Sequence, residues 1–240
     1  MKVIGVIPAR FSSIRFTGKV LADLGGKPIV QHVWENAKNS KLLDDLIIAA
    51  DNEKVVEAAK DFGAKVIYTS PDQPSGTDRL IEVVNPIDVE VIVNIQGDEP
   101  MVRPEMIDEL ARTILEDKDV YMATLAKRIE DENEIKNPNV VKLIKDKNGF
   151  ALYFSRAVIP YPRFRNTPQY FKHLGLYAYT KDFLFEFANL PKSHLEETEG
   201  LEQLRVLESG YKIKVVETKF DTIGIDTPED LEKARIAMGL

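Results

Sequence analysis

The fold is constrained most by the exchange of short apolar runs and helical patterns over the first half of the chain. Residues 3–7, 46–49, 66–68 and 89–95 each read as a short strand. Between them, residues 28–39, 52–62 and 77–84 carry apolar side chains at helical spacing, and 104–115 continues the series. In 28–39 the shared face holds Ile29, Val33, Trp34 and Ala37, and 52–62 is stopped by Gly63. In 104–115 it holds Met106, Ile107, Leu110, Ala111 and Ile114. Strand, helix and strand at this spacing predict a parallel sheet with helices on both faces.

After Tyr121 the pattern changes. Residues 122–126, 140–144 and 174–179 read as strands with no long helix between them, and 161–168 as an ordered loop rich in Pro, Arg and aromatics. Helices are expected at 182–190 and 197–207, and a strand at 213–217. Thr227 is placed to cap the last helix, with Pro228 at its first position and Asp230 completing a capping-box spacing. The expectation is a single α/β domain over 1–240, a Rossmann-like, mostly parallel sheet flanked by helices. A smaller mixed-β insertion falls within approximately 120–220.

Composition removes several function classes. The 240 residues hold 32 Lys+Arg against 39 Asp+Glu, a net charge of -7, which argues against a general nucleic-acid binder. With no cysteine there is no disulfide scaffold, iron–sulfur site or thiol nucleophile. No apolar stretch approaches the ~18 residues of a membrane span. The run after Lys2 ends at Pro8 and Arg10, so it reads as a buried strand rather than a signal peptide. A soluble cytoplasmic protein with neither nucleic-acid nor membrane partners is expected.

The most informative segment follows the first strand, from Pro8 to Lys19. The carboxyl end of a strand is where open α/β sheets bind ligands. Within 1–30 the chain holds five basic residues and one acid, against its overall balance. Arg10, Arg15 and Lys19 lie in a loop of small residues and could cradle a triphosphate, the arginines as planar forks and the lysine as a point charge. An exposed basic loop is the alternative. Ser13 and Val20 spoil a Walker A loop, and GxGxxG is absent, so a P-loop ATPase and a Rossmann dehydrogenase lose support.

A second segment, 91–100, is an apolar strand ending in Gln96-Gly97-Asp98-Glu99-Pro100. Asp98 at a strand end suits a hard cation such as Mg²⁺, and Gln96 could bond a base or sugar; an Asx-type turn is the alternative. In 224–230, Thr227 is explained by capping but Asp226 is not, so Asp98 and Asp226 could share a metal. A merely electrostatic role at the helix start is the alternative for Asp226. Ser75-Gly76-Thr77-Asp78-Arg79 opens a helix closely enough to meet an anionic ligand, or is an ordinary cap with an exposed Arg79. His32, His173 and His194 show no zinc spacing, and no GxSxG elbow is present.

Together these segments resemble the 3-deoxy-D-manno-octulosonate (KDO) cytidylyltransferases of the sugar nucleotidyltransferase superfamily. The resemblance rests on Ile7-Pro8-Ala9-Arg10, Gly25-Gly26-Lys27-Pro28, Ser75-Gly76-Thr77-Asp78-Arg79 and Asn94-Ile95-Gln96-Gly97-Asp98-Glu99-Pro100. It continues through Ala151-Leu152-Tyr153-Phe154-Ser155-Arg156, His173-Leu174-Gly175, Leu201-Glu202-Gln203-Leu204-Arg205 and Asp226-Thr227-Pro228-Glu229-Asp230-Leu231. One departure is Arg15-Phe16-Thr17-Gly18-Lys19, where the family loop usually reads Arg-Leu-Pro-Gly-Lys; the cations keep their spacing.

The resemblance implies that CTP and KDO give CMP-KDO and pyrophosphate, for bacterial lipopolysaccharide biosynthesis. It implies a catalytic set of Arg10, Arg15, Lys19, Asp98 and Asp226, with Mg²⁺ on the two aspartates. Ala9, Arg10, Ser13, Arg15, Lys19, Ser75, Gly76, Arg79 and Gln96 would bind the nucleotide. Gln96, Arg156, His173, Tyr177, Glu202 and Gln203 would bind the sugar acid, with Arg156 on its carboxylate. A homodimer through the 120–220 region is also implied. The competing readings are a cytidylyltransferase for another acidic sugar, such as sialic acid, and a non-catalytic nucleotide-binding regulator on the same fold.

Overall fold

The computed structural model describes residues 1–12, 16–73, 76–164 and 168–240. The first half follows the predicted alternation. Strand β1 (Val3–Ala9) leads through a 3₁₀ turn (Lys19–Leu21) to the short hairpin β2 (Asp23–Leu24) and β3 (Lys27–Pro28). Then come α1 (Ile29–Ala37), β4 (Asp45–Ala50), α2 (Glu53–Asp61), β5 (Lys65–Tyr68), α3 (Gly76–Val84), β6 (Val91–Asn94) and α4 (Pro104–Glu116). The second half holds β7 (Met122–Arg128), α5 (Glu132–Lys136), β8 (Lys142–Lys145), β9 (Ala151–Ser155), β10 (Phe171–Thr180) and α6 (Lys181–Asn189). It ends with α7 (His194–Glu199), α8 (Leu204–Glu208), β11 (Lys214–Glu217) and α9 (Pro228–Met238).

One mixed sheet runs in the order β11-β7-β10-β6-β1-β4-β5. Along that path only β10 runs against its neighbours, pairing antiparallel with β6 and β7. Strand β1 pairs in parallel with both β4 and β6, so the chain reverses its direction of travel across the sheet at β1. A crevice opens at such a point, beyond the carboxyl ends of the strands. The late strands β7, β10 and β11 thus continue the main sheet, and the smaller mixed-β part is the β8–β9 pair hung antiparallel on β10.

The sheet is buried on both faces. Val3, Ile7, Val91 and Val93 pack with Met106, Ile107, Leu110 and Ile114 of α4 on one side. Ile4, Val6, Ile47 and Ile92 pack with Leu80, Val83 and Val84 of α3 and with Leu184 and Phe187 of α6 on the other. Each such side chain withdrawn from water contributes about 1.5–3 kcal/mol before chain entropy is set against it. The sheet's two-sided burial explains why its strands read as unbroken apolar runs. Among the described residues no helix is long and apolar enough to cross a membrane.

Helix ends follow the local chemistry. Asn52 caps α2 by accepting from the Lys54 amide at 3.0 Å. Thr227 and Asp230 form the capping box of α9, with Pro228 in its first turn. The helix expected over 197–207 is instead two short ones, α7 and α8, because Gly200 takes a left-handed conformation (φ 63°) that ends the first. Strand β9, the β2–β3 hairpin and α5 were not expected; β9 is only five residues long, with Leu152 exposed within it. The loop expected over 161–168 lies partly outside the described residues.

Candidate active site

The crevice beyond β1 and β6 holds a cavity of about 720 Å³. Arg10, Lys19, Gly76, Gln96, Asp98 and Asp226 all reach it, although they come from four separate loops. Close packing of two of those loops depends on Gly97. A Cβ there would lie 2.6 Å from the carbonyl oxygen of Pro8, so only glycine lets the turn after β6 rest on the end of β1.

Lys19 organises the floor. Its Nζ lies 2.5 Å from Asp98 Oδ2 and 2.9 Å from Asp226 Oδ1. Burial opposes the charge, but the two carboxylates outweigh it and raise the lysine above its ordinary value, so the ammonium persists. A backbone bond from the Ile225 amide to the Asp98 carbonyl, 3.0 Å, ties the two acidic loops together. Behind them Glu99 is buried. Desolvation, helped by the neighbouring Asp98, pushes its carboxyl up to about 7, and its Oε2 has no hydrogen-bond partner among the described residues.

Arg10 extends the site along β1. Its Nη2 donates to the Gln73 carbonyl at 3.2 Å, while its buried Nε has no hydrogen-bond partner among the described residues. A donor withdrawn from water and left unpaired is costly, and an anionic ligand would satisfy it. Ala9 is buried within β1 and backs this loop. Ser13, Arg15 and Ser75 lie outside the described residues.

Arg79 is not exposed and does not line the cavity. It is fully buried, with Nη2 3.3 Å from Asp51 Oδ2 and Nη1 bonded to Thr69 Oγ1 and the Ser70 carbonyl. Asp51 in turn accepts from the Phe11 amide at 2.8 Å. Arg79 therefore supports the Arg10 loop from beneath through Asp51.

A second cavity, about 170 Å³, adjoins the first through Gly76 and Gln96. Tyr177, Glu202 and Gln203 line it, together with Thr77, Asn94, Tyr179 and Phe187. Its polar groups are incompletely paired: Asn94 Oδ1 and Gln203 Nε2 are buried without hydrogen-bond partners among the described residues. An acceptor and a donor facing one small cavity suit a hydroxylated ligand. Glu202 Oε2 accepts from Thr77 Oγ1 at 3.3 Å, and burial raises its carboxyl above the usual range. Gln96 is fixed at the junction by donating to the Gly175 carbonyl at 3.1 Å.

His173 stands behind Tyr177, ring centroids 5.3 Å apart. Its Nε2 lies 3.1 Å from Thr124 Oγ1, a hydroxyl that itself donates to the Leu176 carbonyl at 2.8 Å. That hydroxyl therefore accepts from the ring, so Nε2 carries a hydrogen; desolvation, which opposes the charged imidazolium, pushes the pKa down to about 3 and keeps the ring neutral. Arg156 lines neither cavity. Its Nε donates to the Glu199 carbonyl at 2.7 Å and its Nη1 to the Pro138 carbonyl at 3.1 Å.

Thr77 and Asn94 lie within segments noted in the sequence but carry no predicted role there, and Tyr179 is not among the predicted site residues. Asn94 was visible as the one polar residue inside the apolar run 91–95, and Tyr179 as the i+2 neighbour of Tyr177 on the same strand face.

The fold and the crevice are those of a nucleotidyltransferase. The model of the cytidylyltransferase family matches residues 4–213. Among solved structures, a 4-diphosphocytidyl-2C-methyl-D-erythritol synthase from Anaerococcus prevotii shares the fold at 15% identity, with a TM-score of 0.66 over 100% of this chain and 99% of that one. A CMP:2-keto-3-deoxy-manno-octonic acid synthetase complexed with CTP superposes with a TM-score of 0.95 at 42% identity, covering 100% of this chain and 99% of that one. Two 3-deoxy-manno-octulosonate cytidylyltransferases are similar along their length. That of Solibacter usitatus is 54% identical over 97% of this chain and 92% of its own, and that of Geotalea uraniireducens 48% over 97% of both. The chain belongs to the 3-deoxy-manno-octulosonate cytidylyltransferase family.

Proposed function

We propose that this protein transfers CMP from CTP to 3-deoxy-D-manno-octulosonate, releasing pyrophosphate and supplying CMP-KDO for lipopolysaccharide assembly. The observation that carries this reading is the pair of joined cavities. One is floored by Lys19, Asp98 and Asp226, the other is small and polar, and Gln96 reaches both. A nucleoside triphosphate in the first and a sugar acid in the second would meet at their junction.

In that arrangement the anomeric hydroxyl of KDO attacks the α-phosphate. The new P–O bond forms as the α–β bridge breaks, the hydroxyl gives its proton to solvent, and the electron pair of the broken bridge leaves with pyrophosphate. Positioning and charge neutralisation supply most of the acceleration in such transfers. Arg10 would meet the phosphates with its unpaired Nε, and Lys19 with its ammonium; Arg15 would add a third charge. Gly76 and Gln96 would help place the nucleotide.

Asp98 and Asp226 would hold Mg²⁺. The fit rests on their donor set, two hard carboxylates converging on one ammonium beside open space, which phosphate oxygens and water would complete. When bound, the ion would neutralise phosphate charge and lower the pKa of the attacking hydroxyl. Lys19 would then turn from the carboxylates toward the triphosphate. Tyr177, Glu202 and Gln203 would hold the sugar hydroxyls, with the neutral His173 backing Tyr177. Arg156 would contribute to sugar binding only by leaving its present carbonyl partners. A cytoplasmic homodimer through the 120–220 region accords with the same family reading.

Pyrophosphate release with CTP and Mg²⁺ tests this, comparing KDO, sialic acid and no sugar. Release with KDO alone, abolished by a chelator, is expected. Release with sialic acid alone would move the sugar assignment, and CTP binding without release would make the protein a regulator.

A further inference from the structure

Glu202 and Gln203 reach the smaller cavity from a turn between two short helices. Helix α7 has six residues and α8 has five. The turn begins at Gly200, whose amide donates to the Glu196 carbonyl at 2.8 Å; the Leu201 amide donates to the same carbonyl at 3.2 Å. Across the turn the Glu196 side chain takes the guanidinium of Arg205 in a two-pronged pair, Nε to Oε2 at 2.7 Å and Nη2 to Oε1 at 2.5 Å. Both side chains are almost out of solvent, at 11% and 12% exposure. Glu196 Oε2 also accepts from the Ser193 amide at 3.3 Å, closing the capping box of α7.

We infer that the Glu196–Arg205 pair is a positioning clip for sugar recognition, fixing the turn that presents Glu202 and Gln203 to the smaller cavity. This rests on the function proposed above. Arg205 lies two residues beyond Gln203 and three beyond Glu202, so any rotation of α8 carries both with it. Its guanidinium carbon also sits 5.6 Å from the ring centre of Phe187, which lines the cavity. Fold stability alone does not call for such a pair, since well-packed apolar residues commonly replace a buried ion pair without loss. What an apolar pair lacks is a fixed direction, and a planar fork on a carboxylate provides it. Lysine keeps the charge but loses the fork.

The test is steady-state kinetics of Arg205→Lys, Arg205→Met, Glu196→Gln and the Arg205→Met/Glu196→Gln pair, varying KDO and CTP separately. In Arg205→Met and Glu196→Gln the KM for KDO is expected to rise about 10-fold, and the KM for CTP to stay within about twofold. Arg205→Lys is expected to fall between wild type and Arg205→Met, and the double variant to be no worse than the worse single one. Circular dichroism at the assay temperature identifies variants that fold, and Arg205→Lys and Glu196→Gln decide the matter if Arg205→Met does not. An unchanged KM for KDO in folded variants, or equal rises for both substrates, overturns the clip alone. A wild type that does not turn KDO over at all overturns the proposed function and the clip with it.

Discussion

The amide of Ile225 donates to the carbonyl of Asp98 at 3.0 Å, joining loops from distant parts of the chain at Asp98 itself and at the residue before Asp226. The link fixes the spacing of Asp98 and Asp226 through backbone rather than through flexible side chains. Lys19 then sits between them with both bonds made.

Asp98→Asn and Asp226→Asn should each lower kcat by at least about 100-fold, the scale of losing one preorganised charge-stabilising group. Lys19→Ala should do the same. Rates measured across a Mg²⁺ titration check this. A variant restored to wild-type rate by more Mg²⁺ would show a lost affinity rather than a lost catalytic role.

Gly97→Ala should destabilise the protein by about 1–3 kcal/mol, because its Cβ would meet backbone that cannot step aside. It should also lower turnover, since Asp98 is the next residue. Gly224→Ala is the control: a Cβ there meets nothing within 4 Å, and the stability change should stay within about 0.5 kcal/mol. Urea denaturation of both measures the difference.

Arg79→Met should cost about 3–5 kcal/mol, because Asp51 would remain buried without its charge partner. Adding Asp51→Asn should recover part of that loss. Asp51 anchors the Phe11 amide, so both changes should also raise the KM for CTP through the Arg10 loop.

His173 makes acid destabilising. In the unfolded chain it takes up a proton near its ordinary 6.5, whereas in the folded protein it does so only near about 3. The unfolded state therefore binds more protons between those values, and stability falls with falling pH by at most ~1.4 kcal/mol per unit from this group. Glu99 acts in the opposite sense. Its folded carboxyl stays protonated up to about 7, against 4.5 when unfolded, so its contribution is lost as pH rises through that window. Wild-type stability minus that of His173→Gln, measured from pH 7 to pH 4, removes the Glu99 part. The difference should shift against wild type as pH falls.

The βα alternation was legible because a strand buried on both faces must be apolar throughout and a helix on such a sheet must be apolar at helical spacing. For the same reason the four loops at the strand ends stood out, and the structure brings Arg10, Lys19, Gln96, Asp98 and Asp226 to one cavity. Local chemistry also specified the Thr227 cap, which needs only its own helix.

Longer-range matters were not legible. The sequence could not show that β10 would run against β6 and β7, because strand direction depends on partners far along the chain. Nor could it show that Arg79 points inward to Asp51 while Arg10 faces the crevice, since the direction of a long side chain is set by partners far along the chain. The left-handed Gly200 split one expected helix into two, and only the packed structure shows that Glu196 then meets Arg205. The sequence by itself determined the long strands and helices of the βα alternation and which loops carry charge, because periodicity and capping act within a few residues. The tertiary structure decided which charges share a cavity and which neutralise one another, because that depends on distances set only when the sheet closes.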